Sequence, residues 1–296
     1  MSIVKTNALP APTFRWLNVN DKEIDIAPEE LTPHSLALRD GKTTRIDIKE
    51  STQLFVNAND NTSASLILFL EGGSDTRLGI DMNVGSGSDI KVVEVFKDPP
   101  KTLAGIRCNV EDSSTLSIVQ LYLGSTDTAS EIDVTLSGYK SKLVTDIGYL
   151  LNDDGKLDIN LIARHSGKKT ESEINVKGVM NDQSEKIFKG TIDFLCGASG
   201  AKGSEKEDVM LLGDKVVNKT VPLILCAEED VEGEHGASIG RIDDSIMFYM
   251  RSRGIDEQTI YDLLARSKIS SVIEKIGDEQ TTARLDKNLL WGDEVE

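Results

Sequence analysis

The stretch EIDVTLSGYKSKLVTDIGYLLNDDGKLDINLIARH, residues 131–165, contains the pattern that decides the fold. Within it, Ile132, Val134 and Leu136 alternate with polar residues, and residues 157–161 repeat the same alternation. A period of two, with Gly, Asn, Asp and Ser between the runs, is typical of β-strands joined by turns. The stretch therefore predicts short strands rather than amphipathic helices.

Similar runs recur across residues 44–226, and no convincing amphipathic helix interrupts them. The apolar runs lie at residues 66–70, 80–84, 90–96, 116–123, 132–136, 157–162 and 174–179. Many short strands at even spacing fit a sandwich, a barrel or a β-solenoid. No clean repeat is visible, so a solenoid would have to be irregular. The shortage of proline and aromatic residues, the latter only 5%, favours stacked coils.

The two ends of the chain differ from this β-rich centre. Four prolines, from Pro10 to Pro33, indicate an irregular N-terminal arm, and Trp16 is expected to pin that arm to the core. Near the C-terminus, Asp243 or Asp244 can cap a helix over residues 245–252. Further helices are predicted from Asp256 and from Ser270. The last residues, Leu289, Leu290 and Trp291, could form a docking patch.

Three segments follow from this pattern. They are an arm over residues 1–43, a β core over residues 44–240 and a small helical domain over residues 241–296.

Composition limits the classes of function. The 296 residues carry a net charge of −17, which disfavours binding to nucleic acid or anionic lipid. The first residues do not form a secretory signal, and no run of eighteen apolar residues predicts a membrane span. Three widely spaced cysteines make neither a disulfide framework nor a zinc site. We therefore expect a cytoplasmic protein.

Motifs for catalysis are missing. The chain has no phosphate-binding Walker loop, nucleophile elbow, HExxH zinc motif or dinucleotide fingerprint. The glycine-rich stretch 72–89 lacks the lysine and the following helix of a phosphate site, so we expect turns there. The sequence predicts no enzyme.

One segment concentrates potential metal ligands. Within VEGEHGASIGRID, residues 231–243, Glu234 and His235 are oxygen and nitrogen donors, and Cys226 lies a few residues upstream. Such a set could hold iron or a transient metal–sulfur species. The alternative is a structural histidine at the junction between strands and helices. His165 precedes a Ser-Gly pair and is expected in a turn, whereas Cys108 lies on an apparent strand and is expected in the core.

Two extended segments resemble one protein family. They are HSGKKTESEINVKGVMNDQSEKIFKGTIDF, residues 165–194, and LLGDKVVNKTVPLILCAEEDVEGEHGASIGRIDDSIMFYMRSRGI, residues 211–255. Both are similar to the SufB/SufD family of iron–sulfur cluster assembly proteins, and LPAPTFRWLNVN, residues 9–20, is similar to its arm. An extended, non-repetitive match is far more specific than a short motif.

The resemblance implies a mainly β fold, a right-handed parallel β-helix core with a small C-terminal α-helical domain. It implies a scaffold subunit of the SUF machinery that pairs with a SufB/SufD-type subunit as a homo- or heterodimer. The helical domain would dock the SufC ABC-type ATPase. A nascent iron–sulfur cluster or iron would be held transiently, with no tightly bound cofactor.

Individual residues carry these implications. His235 falls on the family's corner histidine, a candidate cluster ligand, followed by Gly236 and Ala237 as in SufD-like members. Positions where SufB-like members carry a functional cysteine fall at Glu207 and Val216. The residues that would contact the ATPase are Phe248, Tyr249, Arg253 and Ile260. A purely structural SufD-like partner without metal is the alternative, and a β-helix carbohydrate-active enzyme is less favoured.

Overall fold

The computed structural model describes residues 2–27, 30–99 and 101–289. Its centre consists of two parallel eight-stranded sheets, and successive strands alternate between them. The odd sheet contains the odd-numbered strands of this centre, and the even sheet contains the even-numbered strands. A chain that places one strand in each sheet per coil is a parallel β-solenoid, which confirms the predicted β-helix core.

The strands lengthen along the solenoid. The odd sheet comprises β3 (Thr32–Ala37), β5 (Thr52–Ala58), β7 (Thr76–Val84), β9 (Thr102–Val110), β11 (Asp127–Leu136), β13 (Lys156–His165), β15 (Glu185–Phe194) and β17 (Val217–Cys226). The even sheet comprises β4 (Lys42–Asp47), β6 (Ser63–Glu71), β8 (Asp89–Lys97), β10 (Thr115–Gly124), β12 (Lys142–Leu151), β14 (Glu171–Met180), β16 (Ala201–Leu211) and β18 (Val231–Gly240). The solenoid thus begins before residue 44, and its last strand ends at residue 240.

The coils also differ in length. The backbone N–H of Ser88 donates a hydrogen bond to the hydroxyl of Ser114, 26 residues away in the next coil, whereas the hydroxyl of Ser199 donates to the carboxylate of Asp230, 31 residues away in a later pair of coils. Because the spacing drifts, equivalent residues do not recur at a fixed period. This is why the sequence shows no clean repeat.

Inward-pointing side chains of both sheets form the first hydrophobic core. Ile132, Val134 and Leu136 are buried, as their alternation predicts, while the intervening residues are half-buried. Cys108 is buried in the same core, as expected. Phe96 and Tyr122 stack inside with ring centroids 4.7 Å apart. Burial of these residues removes apolar surface from water and stabilises the coils.

A second core lies between the outer face of the even sheet and the C-terminal helices. The helices are α1 (Asp244–Ser252), α2 (Glu257–Ile276) and α3 (Glu279–Leu289). Buried residues of this second core are Ile67, Phe69, Val93, Val95, Val119, Leu121, Leu123, Ile269, Val272, Ile273, Ile276 and Leu285. Both faces of β6, β8 and β10 are therefore covered, which explains their continuous rather than alternating apolar runs.

Capping residues set the helix boundaries. The side chains of Asp243 and Asp256 accept hydrogen bonds from the first turns of α1 and α2, as predicted. The prediction of a separate helix from Ser270 is wrong, because α2 continues to Ile276 and ends at Gly277 in the left-handed conformation. Of the predicted docking patch, Leu289 is the last residue of α3, and residues 290 and 291 lie outside the described residues.

The N-terminal arm is more ordered than its prolines predict. Strands β1 (Ser2–Thr6) and β2 (Lys22–Ile26) pair antiparallel, and Arg15–Leu17 forms a turn of 3₁₀ helix between them. Ile24 and Ile26 pack on Ala129, on the outer face of the odd sheet. Trp16 does not pin the arm, since it is 79% exposed. None of the helices in the described ranges combines the length and apolar character needed to cross a membrane.

Candidate functional site at the open end of the solenoid

The last coil leaves one end of the solenoid open. β17 and β18 are the terminal strands of the odd and even sheets, so each presents an edge that no described strand pairs. Ile224 and Ile239, which are in register with inward-facing residues of the preceding coil, are partly exposed. Unpaired strand edges that carry exposed apolar side chains are typical of surfaces that pair with another chain.

His235 lies on the inward side of this open coil. It is in register with Glu205 of β16, whose side chain faces the interior and is only 4% exposed. Glu234 precedes it on the same strand and therefore points to the opposite face. There Glu234 lines an outer groove of about 370 Å³ together with Lys202 and Lys206.

Cys226 occupies the same coil in the other sheet. It ends β17 in register with Phe194, and its exposed thiol donates a hydrogen bond to the carbonyl of Glu228 at 3.0 Å. The described ranges contain no cluster of three His, Cys, Asp or Glu side chains that could hold a metal ion. The structure thus brings His235 and Cys226 to one open end, but it places Glu234 outside.

A charged cluster that the sequence reasoning missed lies directly beneath the open coil. The buried ammonium of Lys186 pairs with the buried carboxylate of Glu207. The hydroxyl of Thr220 donates to Glu207 at 2.7 Å and lies 3.2 Å from Lys186. Glu205 is two residues away on the same inward face.

Electrostatics make this cluster unusual for a hydrophobic interior. Burial, with a further contribution from the charge of Glu207, raises the pKa of Glu205 to about 7. Burial also lowers the pKa of Lys186, an effect that Glu207 opposes. Charged groups cost several kcal/mol to bury, so retaining them here, next to an exposed histidine, is more typical of a functional region than of a packing core.

The sequence offered little signal for this cluster. β16 reads AKGSEKEDVML, and its consecutive residues 204–208 are all polar, so alternation does not tell inward from outward residues there. Only the register with β14 shows it, because Glu205 is aligned with the buried Ile174.

His165 has a structural role instead of a place in the site. The prediction of a turn position is wrong, since the residue ends β13 and is completely buried. Its two ring nitrogens lie 2.7 Å and 2.9 Å from the hydroxyls of Thr170 and Ser172. Burial lowers the pKa of His165 to about 4, so the ring is neutral at physiological pH.

The helices present a second exposed surface. Phe248 is 75% exposed, and Tyr249 is exposed beside it on α1. The guanidinium of Arg253 stacks on the Tyr249 ring at 4.9 Å. Ile260 is fully buried, so its side chain supports the helix packing from inside.

These features define a parallel β-solenoid protein with an open terminal coil and a helical domain on one outer face. The chain belongs to the SufBD core family, because residues 44–268 match the model described as "SUF system FeS cluster assembly, SufBD core domain". This confirms the resemblance found in the sequence.

Individual relatives agree with the family match. The chloroplastic iron–sulfur cluster assembly SufBD family protein of Arabidopsis thaliana is 31% identical over 266 residues, which cover 80% of this chain and 48% of that protein. The iron–sulfur cluster assembly protein SufD of Bacillus subtilis is 32% identical over 121 residues, covering 41% of this chain and 28% of that protein. SufD of Escherichia coli is 31% identical over 120 residues, with 39% and 28% covered. The chain thus spans half or less of the length of these relatives.

Proposed function

We propose that this protein is a SufBD-type scaffold subunit that helps to build and hand on nascent iron–sulfur clusters, and that it is not itself an enzyme. The main supporting observation is that the family match, residues 44–268, includes the open coil whose inward face bears His235. Iron and sulfide are the cargo of such a scaffold.

The open end supports pairing with another SufBD-type subunit. The partly exposed Ile224 and Ile239 and the two free strand edges would be covered if a second solenoid docked there. Covering them would remove apolar surface from water and satisfy backbone groups at the edges. It would also bring the ligands of two chains together.

The cargo site would be shared between the two subunits. An imidazole suits iron, and His235 supplies one from this chain, with the exposed thiol of Cys226 on the opposite sheet. A complete ligand set would need residues from the second subunit. Glu207 and Val216 are the two candidate positions for the functional cysteine of SufB-like members, and neither is Cys. The carboxylate of Glu207 pairs with Lys186 instead. This favours a SufD-like role.

The helical domain would contact the SufC ATPase. Phe248 and Tyr249 provide exposed aromatic area, and aromatic residues are common anchors of protein interfaces. Arg253 holds the Tyr249 ring from one side. The even sheet supports α2 from beneath, so movement of the ATPase could reach the solenoid through this packing.

Co-purification tests the proposal. The chain should form a complex with the cognate SufC ATPase in size-exclusion chromatography with light scattering. Introducing lysines at the open end, I224K/I239K, should abolish pairing of SufBD-type subunits and leave ATPase binding intact. A chain that binds neither the ATPase nor any SufBD-type subunit would overturn the proposal.

A structural subunit without metal is the second candidate. It is favoured by the lack of a three-ligand cluster within the described part of this chain. Replacing His235 by Ala separates the two functions, because the exposed side chain can be removed without unfolding the protein. Loss of cluster formation in cells favours the ligand role, whereas unchanged cluster formation favours the structural role.

A further inference from the structure

The first coil forms a second open end, at the start of the solenoid. β3 and β4 are the terminal strands of the odd and even sheets there, and each has only one neighbour among the described strands. Leu36 of β3 and Ile46 of β4 are in register with buried, inward-facing residues of the next coil. Both side chains therefore face the interior, yet they are only partly buried. Apolar side chains left uncovered at such an end favour association with another group.

These side chains line a cavity of about 330 Å³, which we call the cup. Its apolar lining consists of Leu36, Ile46, Ile48 and Leu54. Pockets of about 300 Å³ and more hold small organic molecules, so an indole ring fits inside. The cup lies on the side of the solenoid where β4 turns into β5, because the connecting residues 48–50 also line it.

Helix α3 runs along β4 toward the cup. Asp278, just before the helix, pairs with Arg45 in the middle of β4. Further along the helix, Arg284 pairs with Asp47, the last residue of β4. The helix therefore advances in the direction of the strand. At a rise of about 1.5 Å per residue, its last residue lies about 7.5 Å beyond Arg284, at the level of residues 48–51, which connect β4 to β5.

The chain that follows α3 supplies a suitable occupant. Residues 290–296 read LWGDEVE and begin with two large apolar side chains, Leu290 and Trp291. Seven extended residues span up to about 25 Å, so this segment is long enough to reach the cup from the end of α3. Because the segment and the cup belong to one chain, the short connection gives an effective concentration on the order of millimolar.

Charge at the rim of the cup is compatible with this occupant. Residues 293–296 contain three carboxylates, and Lys49 on the rim carries the opposite charge. Of the two carboxylates on the rim, that of Asp47 is already paired with Arg284. An apolar centre with a polar rim is the usual arrangement of a recognition surface.

We propose that Leu290 and Trp291 fold back into the cup of the same chain and cap the start of the solenoid. A solenoid with two open ends would join further copies at both ends, and terminal caps prevent such growth. The capped molecule keeps only its last coil free for pairing. The cap requires neither the cluster cargo nor the ATPase contact, so its failure would leave the proposed function intact.

Acrylamide quenching of tryptophan fluorescence tests the cap in the full chain. The chain has two tryptophans, so W16F leaves Trp291 as the single reporter and W291F leaves Trp16. Trp16 is 79% exposed and serves as the reference. The quenching constant of Trp291 should be several-fold lower than that of Trp16, and it should not change on dilution. Equal quenching of the two residues would overturn the cap. Shielding that is lost on dilution would also overturn it, because a second copy would then supply the segment.

Lysine substitutions locate the binding site of Trp291. In the W16F background, L36K places a charge inside the cup and should raise the quenching constant of Trp291 toward that of Trp16. The matched control is F55K, at an exposed position of the neighbouring strand β5, and it should leave the quenching unchanged. Thermal unfolding shows whether both variants fold. Continued shielding of Trp291 in folded L36K would place it elsewhere and overturn the cap.

A second variant leaves every residue of the cup unchanged. L290D/W291D should bind more of the apolar dye ANS than wild type, because the uncovered cup exposes apolar surface. V295D, in the same segment but outside the apolar pair, is the control and should bind as much dye as wild type. Equal dye binding by L290D/W291D and wild type would overturn the cap.

Discussion

The ammonium nitrogen of Lys189 lies 2.8 Å from a carboxylate oxygen of Asp158, and Asn7 of the arm closes over both groups. The Asn7 amide donates to the Asp158 carboxylate at 2.6 Å and to its backbone carbonyl at 2.9 Å. All three side chains are buried, although Asp158 and Lys189 point away from the solenoid interior. The arm therefore buries polar side chains that lie on the outer face of the odd sheet.

Removing the cation of this buried pair should strongly destabilise the protein. Lys189→Met keeps much of the side-chain volume but leaves the Asp158 charge buried without a cation, which costs about 3–5 kcal/mol. Urea denaturation measures the loss. The matched control is Lys202→Met, whose partner Glu232 is exposed, so the free energy of unfolding should be nearly unchanged. Similar losses in the two variants would show that the arm does not seal the Lys189 pair.

A buried carboxyl group should make stability depend on pH. Burial raises the pKa of Glu94 to about 7 from 4.5, and the group faces Gln120, which donates to it at 2.6 Å. Tyr122 and Ser130 are the other polar groups of this interior network. The folded protein holds this proton more tightly than the unfolded chain does. Ionisation of Glu94 at higher pH therefore destabilises the fold. Its contribution is complete below pH 4.5 and is lost as the pH rises through about 7.

Glu94→Gln should remove this dependence. Relative to wild type, the variant should gain stability between pH 4.5 and pH 8, by an amount on the order of 3 kcal/mol. Chemical denaturation at several pH values measures the difference. Glu50→Gln, at an exposed position, is the control and should run parallel to wild type. A parallel curve for Glu94→Gln would mean that water reaches this carboxyl group.

The strands can be predicted from the sequence, but the parts of the chain that cover their outer faces cannot. Alternation identifies Ile132, Val134 and Leu136 as inward-facing, because a strand with one covered face repeats every two residues. Asp158 follows the same rule, yet it is buried by an arm more than 150 residues away in the chain. The pairing of Lys186 with Glu207 also depends on contacts between coils. Local patterns do not contain such long-range relationships.

The family signature located His235, but not its surroundings. The sequence placed Glu234 beside it as a second ligand, whereas strand geometry directs the two side chains to opposite faces. Glu205 lies 30 positions before His235 and becomes its neighbour only through the register of β16 with β18. Because coil lengths vary, that register is not available from spacing alone.

Substitutions on the exposed aromatic face of α1 should weaken partner binding without affecting folding. F248A/Y249A should weaken binding of the SufC ATPase by about tenfold or more, since aromatic residues dominate interface energetics. Thermal stability should be nearly unchanged, because both side chains are mainly in water. Isothermal titration calorimetry with purified ATPase measures the affinity.

Ile260→Ala is the matched comparison, because it changes a buried residue of the helical domain instead of an exposed one. The side chain is fully buried, so its truncation should cost about 2–5 kcal/mol of stability through lost packing. Any effect on ATPase binding should disappear at a temperature where the variant is fully folded. Weaker binding by folded Ile260→Ala, with unaffected binding by F248A/Y249A, would place the contact elsewhere.

The attachment of α3 to the solenoid should depend on one carboxylate. Asp278 pairs with Arg45 of β4 and accepts a hydrogen bond from the backbone N–H of Thr281, in the first turn of α3, at 2.9 Å. The bond from Arg45, followed by those from Thr281, lowers the pKa of Asp278 to about 2. Asp278→Asn should weaken the attachment by about 1 kcal/mol, since it removes an ion pair and a charge at a helix N-terminus.

The pH dependence gives that interaction a distinct signature. A lowered folded-state pKa means that the stabilisation is present above the ordinary aspartate pKa near 4 and is lost as the pH falls toward 2. Hydrogen-exchange protection factors of α3, which are corrected for the intrinsic pH dependence of amide exchange, should therefore fall on acidification in wild type, and they should already be lower at neutral pH in Asp278→Asn. Arg45→Met should behave in the same way, and the double variant should add little, because both changes break one interaction. Fully additive effects would mean that Arg45 and Asp278 act independently.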